Sequence, residues 1–312
     1  MLRKRIERRN EFKNEILALN LFNLKAIFLA LLLFPLAGIN NVNAQELFIG
    51  SVETNEVLRY DGTTGAFIDE FVTAGSGGLT APNGILFGPD GNLYVSSFTD
   101  QVLRYDGTTG AFIDAFVTAG SGGLTGPSDL IFGPDGNLYV SSFISNEVLR
   151  YNGTTGASID VFVMQDSGGL TDPQGLRFGV DGNLYVSSAD TAEVLRYNGI
   201  TGAFIDAFVT MESGGLKFPA GLVFGPDGNL YVCSSIMSNK VLRYNGATGA
   251  FIDEFVPAGS GGLDRPIYLV FREPLEPLPR NVPTLSEWGL ITMAGILGLV
   301  GFIVMRRREV TV

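Results

Sequence analysis

FGPDGNLYVSS, residues 87–97, recurs unchanged at 132–142, with one substitution as FGVDGNLYVSS at 178–188, and once more as FGPDGNLYVCSS at 224–235. Its first half is turn chemistry, since Asp accepts backbone N–H groups and the following Gly takes positive φ at no steric cost. Its second half alternates large and small side chains, as a strand does. Aligned on LYV, with LFI in the first copy, the units begin at Leu47, Leu93, Leu138, Leu184 and Leu230, so the spacings are 46, 45, 46 and 46. A period of this size belongs to a β-propeller blade.

Each unit contains four strand-like runs, for example 84–87, 92–97, 101–105 and 111–117, separated by GPDG, a polar tip such as SFTD, and DGTTG. The expected fold is therefore all-β: a five-bladed propeller over residues 45–272, built of four-stranded blades about 46 residues long. The chain enters the body at what reads as the second strand of a blade, 46–50, and leaves it with IYLVF, 267–271. Pairing that last strand with the first blade closes the ring and removes an open sheet edge.

The repeated Asp90, Asp135, Asp181 and Asp227 stand before glycine and read as structural turn residues, with weak calcium ligation as the only cofactor reading they allow. Arg and Asp ten residues apart flank the DGTTG-type turn in every unit: Arg59 and Asp69, Arg104 and Asp114, Arg150 and Asp160, Arg196 and Asp206, Arg243 and Asp253. A hairpin there places them on one face as diagonal neighbours, which predicts an ion pair per blade. The chain has no histidine, which removes Ser-His-Asp and Cys-His catalysis. Its one cysteine, Cys233, stands where other units have serine and reads as a small strand residue. On the first strands, facing the channel, the candidate ligand-binding residues are Asn83, Asp129 and Gln174, with Ala220 and Ile267 in the other two blades. The tips after the second strands and the segments around Pro82, Pro127, Pro173, Pro219 and Pro266 vary between units, and together they mark the candidate binding face. No catalytic residue and no metal site is assigned.

The ends differ in kind. Seven Lys or Arg precede the apolar run AIFLALLLFPLAG, 26–38, and then small residues, so residues 1–44 read as a signal peptide cut between Ala44 and Gln45. The body from 45 to 279 carries 27 acidic and 10 basic residues, a surface that repels nucleic acid. Residues 273–282 form a proline-rich linker. Residues 288–305 are an apolar stretch about 27 Å long as a helix, sufficient for one transmembrane span at the inner membrane, with Arg306, Arg307 and Arg308 as the cytoplasmic stop.

The tail 283–308 resembles the IPTL-CTERM protein-sorting tail through Pro283, Thr284, Leu285, Ser286, Glu287, Trp288 and Gly289, followed by one span and an arginine cluster. Val282 departs from the usual isoleucine. The resemblance implies an exosortase-type membrane partner in a Gram-negative bacterium, export across the inner membrane, anchoring before processing, and a final place at the cell surface or outside the cell. The repeats resemble NHL and gluconolactonase-like propellers, which more often have six blades. The expected function is a non-catalytic, exported binding or structural module with a polysaccharide or surface protein as partner. The alternatives are a repeat lectin with one sugar site per blade and a gluconolactonase-like metal-dependent hydrolase.

Overall fold

The computed structural model describes residues 46–62, 64–269 and 271. The signal peptide with Ala44 and Gln45, the linker, the sorting motif and the arginine cluster lie outside the described residues.

Among the described residues nineteen strands form five sheets arranged as blades. Blade 1 holds β1 (Glu46–Ser51), β2 (Glu56–Asp61) and β3 (Phe67–Val72). Blade 2 holds β4 (Ile85–Phe87), β5 (Leu93–Ser97), β6 (Gln101–Tyr105) and β7 (Phe112–Val117). Blade 3 holds β8 (Pro127–Phe132), β9 (Leu138–Ser142), β10 (Glu147–Tyr151) and β11 (Ser158–Val163). Blade 4 holds β12 (Pro173–Phe178), β13 (Leu184–Ser188), β14 (Glu193–Tyr197) and β15 (Phe204–Val209). Blade 5 holds β16 (Pro219–Phe224), β17 (Leu230–Ser234), β18 (Lys240–Tyr244) and β19 (Phe251–Val256). All pairings are antiparallel between neighbours in sequence, as short hairpin turns dictate.

The blades touch through alternate faces of the LYVSS strand. Leu93 and Val95 join Val57, Phe71, Val72 and Leu79 of the preceding unit in one core cluster. Tyr94 points the other way and meets Phe116 of its own blade and Phe132 of the next at ring-centroid distances of 4.9 and 5.2 Å, both edge to face. Such pairs contribute about 0.5–1.5 kcal/mol each beyond their area burial. At the rim, Tyr105 and Tyr151 donate their hydroxyls across to the carbonyls of Ser76 and Ser121 at 2.8 and 2.7 Å. The DGTTG glycine completes the joint: Gly156 has φ +70°, and a methyl group on it would lie 1.7 Å from the Phe116 carbonyl oxygen. The next blade's turn therefore touches backbone where only glycine fits.

Five blades are present as expected, but the closing pairing differs. Ile267–Phe271 lies against blade 5 as a next blade's first strand would: Gly221 N–H donates to the Ile267 carbonyl at 2.6 Å, and Phe271 stacks edge-on to Tyr231 at 4.7 Å. Among the described residues this segment forms no ladder with β1, whose sheet has three strands. Leu47 and Ile49 are each 43% exposed, whereas their counterparts Leu93 and Val95 are fully covered. Phe255 is 45% exposed where Phe208 is 6%. A methyl group on Gly65 would meet nothing within 4 Å, in contrast to Gly156. The described blades thus form an arc, with blade 5 not packed onto blade 1.

Replacing Gly156 by Ala should destabilise the chain substantially more than replacing Gly120, which has φ +68° and no neighbour within 4 Å of the added methyl. The open position should cost about 1–2 kcal/mol from left-handed strain alone. Thermal denaturation of the two variants measures the difference, and equal losses would contradict the joint described above.

Candidate functional site

The glycine turn and the Arg–Asp pair belong to one network. Asp90 accepts from Asn92 N–H at 3.1 Å, Asn92 Nδ2 at 2.8 Å and the Tyr94 hydroxyl at 3.0 Å. Arg104 donates through Nε and Nη2 to the two oxygens of Asp114 at 3.1 and 2.6 Å, and its Nη1 lies 3.7 Å from Asp90. The guanidinium sits 5.0 Å from the centre of the Phe116 ring. Register pairs Arg104 directly with Asp114, so the expected diagonal relation becomes a face-to-face one, brought about by a bulge on either side of Arg104. All five Arg–Asp pairs form, and in blade 1 Glu46 supplies the second carboxylate, 3.1 Å from Arg59. Burial pushes the Asp90 carboxyl up, but its bonds to Asn92 and Tyr94 and the charge of Arg104 outweigh that and hold it below the ordinary range. Its oxygens are committed to the scaffold. Cys233 is buried, and burial pushes its thiol up to about 12, which suits a packing residue rather than a nucleophile.

The channel residues follow a different register from the expected one. Measured from the repeated proline, Asn83, Ser128, Gln174, Ala220 and Ile267 are equivalent, and Asp129 aligns with Gly84, Gly175, Gly221 and Tyr268. Asn83 and Gln174 are brought together through Ser128, which the sequence reading missed. Asn83 Nδ2 donates to Ser128 Oγ at 3.2 Å, and Ser128 Oγ donates to Gln174 Oε1 at 2.9 Å. Gln174 Nε2 donates to Asp172 at 2.5 Å, and the Tyr268 hydroxyl donates to Asn83 Oδ1 at 3.3 Å. The signal was available: aligning on Pro127 rather than on the carboxylate puts Ser128 beside Asn83.

Asp129 stands apart from this string. Its side chain turns into the joint between blades 3 and 4, where it accepts Leu130 N–H at 2.9 Å and Leu176 N–H at 3.0 Å. It is 8% exposed. Burial raises its pKa, and the nearby Arg177 charge and the two N–H groups offset only part of that.

The variable tips and the proline segments meet on one face, as expected. A tip side chain of one blade accepts the N–H of the residue before the next blade's proline: Asn55 from Ala81 at 2.7 Å, Asp100 from Gly126 at 2.8 Å, Asn146 from Asp172 at 2.7 Å, and Asn239 from Arg265 at 3.1 Å. In blade 4 the equivalent residue is Ala192, and a cleft of about 320 Å³ opens there between blades 4 and 5.

Residues 282–308 match the model of the IPTL-CTERM motif. No curated protein matches the sequence. Among solved structures, a gluconolactonase from Xanthomonas campestris superposes with a TM-score of 0.56 at 18% identity, over 73% of this chain and 76% of that one. A nidogen/laminin complex gives 0.55 at 19% identity, over 72% and 80%. A catalytically inactive virginiamycin B lyase from Staphylococcus aureus, solved with quinupristin, gives 0.53 at 16% identity, over 68% of this chain. The chain spans 66% of that lyase's length. At these identities the likeness shows the fold alone.

Asp129→Gly, which restores the residue found in blades 2, 4 and 5, supplies a pH test. The folded pKa lies above the unfolded value, so above the folded pKa the buried charge carries its full cost. As pH falls toward about 4, the folded state holds the proton more tightly than the unfolded chain. Wild type should therefore gain stability relative to the variant between neutral pH and pH 4, read by denaturant melts. A difference independent of pH would contradict the assigned burial. The chain is a five-bladed β-propeller whose residues 282–308 form an IPTL-CTERM motif.

Proposed function

We propose that the chain is an exported, non-catalytic propeller that serves as a surface or extracellular binding and structural module, routed by its tail through an exosortase-type system. The motif at 282–308 supports the routing. The observation that carries the non-catalytic reading is the channel: Asn83, Ser128, Gln174, Asp172 and Tyr268 spend their polar groups on one another. Asp129, the one carboxylate read as a channel ligand, faces backbone N–H groups.

Two further observations support it. Among the described residues no three Asp, Glu, Cys or His side chains converge as metal ligands would. The inactive lyase that shares the fold is a variant in which a histidine is replaced by alanine, and this chain contains no histidine. The tips also differ from blade to blade. Phe98 and Phe143 stack at 6.2 Å, while the equivalent residues are Val52, Ala189 and Ile236, which disfavours one identical sugar site per blade.

The test is expression of the full-length chain in paired exporting hosts with and without the exosortase-type enzyme. A shortened product at the cell surface is expected only where the enzyme is present, and Pro283→Ala with Trp288→Ala should abolish the shortening. Surface delivery that is identical in both hosts would contradict the routing. Hydrolysis of gluconolactone above background, lost on chelation, would contradict the non-catalytic reading.

A further inference from the structure

The five copies of the blade supply an internal control. At four joints a tip residue with positive φ, namely Asn55, Asp100, Asn146 or Asn239, directs a side-chain oxygen onto the N–H before the next blade's proline. At the joint between blades 4 and 5 the backbone keeps the same form: Ala192 has φ +56° and Phe218 has φ +44°. The side chain that would bond is missing. Among the described residues the Phe218 N–H has no hydrogen-bond acceptor. The difference between Asn and Ala is one carboxamide group, and the vacancy it leaves opens into the cleft.

The walls of that cleft define what fits it. Met211 and Met237 are 62% and 88% exposed and flank the vacancy together with Phe218 and Ile236. Methionine side chains are flexible and adapt to irregular ligand surfaces. Asp190 and Glu212 add acceptors, and Lys217 adds a donor. An acetamido group supplies the carbonyl that the Phe218 N–H lacks and a methyl for the methionines. Sugar hydroxyls then donate to Asp190 and Glu212. The cleft is bordered by turns rather than by a strand edge, so it offers no ladder to an extended peptide. The acidic body favours a neutral sugar over an acidic one.

We propose that this cleft binds one N-acetylated amino-sugar residue of a polysaccharide, with the acetamido carbonyl occupying the place of the missing Asn side chain. The proposal rests on the binding-module reading above and gives that reading one site per chain.

Full-length chain in mild detergent is titrated with the β-1,4-linked trimer of N-acetylglucosamine, with cellotriose, which is neutral and lacks the acetamido group, and with N-acetyl-alanine amide. The expected result is saturable binding of the N-acetylated trimer at one site per chain, with cellotriose and the peptide amide at least tenfold weaker. Ala192→Asn should fill the vacancy, raise the melting temperature by restoring the fifth of these tip-to-backbone latches, and weaken trimer binding at least tenfold. Absence of saturable binding, several equivalent sites, equal affinity for the peptide amide, or binding unchanged in a stabilised Ala192→Asn variant would each overturn the proposal. Tail processing in cells is scored separately, so failure of the sugar site is distinguishable from failure of the export reading.

Discussion

The approach of one blade's carbonyl oxygen to a glycine of the next blade sets how closely the blades meet. A methyl group on Gly110 would lie 1.7 Å from the Phe71 carbonyl oxygen, one on Gly202 would lie 1.8 Å from that of Phe162, and one on Gly249 would lie 1.7 Å from that of Phe208. Blade spacing is therefore set by backbone contact, and the aromatic trios, the tyrosine bonds and the buried LYVSS strands form around it. Protein interiors tolerate little change in such distances, since they are close-packed.

Within each blade, charge is used as scaffold. The turn carboxylate, the arginine and the second carboxylate lie over an aromatic ring at the joint, so the network ties two turns to the blade contact. The side chains involved are partly exposed, and each pair contributes at most about 1 kcal/mol. Their worth lies in orientation and in repetition. Identity between units is thus accounted for by the scaffold, and the informative positions are those where a unit departs from the others: Asp129 for glycine, Tyr268 for glycine, and Ala192 for asparagine or aspartate.

The strands, their period and the Arg–Asp pairs were legible in the sequence because each depends on local pattern: alternation, a turn dipeptide, a fixed spacing of ten. The channel string was half legible. Asn83 and Gln174 are legible from polarity on the first strand, whereas Ser128 rather than Asp129 shares their position because the repeated proline sets the register. The latch was not legible, since a side chain finds a backbone N–H 26 residues away only after the blades are stacked. Closure was misread for a related reason. The order of strands supplies the missing piece of blade 1, IYLVF, but strand order carries no information on whether the stacked blades bring the two ends of the body together.

The open end of the arc lies at the joint between blades 5 and 1. Ser96 N–H points inward, to the Gly84 carbonyl, and by alternation Tyr94 does the same, so Phe48 and Gly50 are the β1 amides left without an inner strand. Native-state hydrogen exchange resolved by residue is the most direct measurement. The arc predicts that Phe48 and Gly50 exchange much faster than Tyr94 and Ser96 in the same molecule. Equal protection of the two pairs would mean that a fourth strand covers β1 and would contradict the arc.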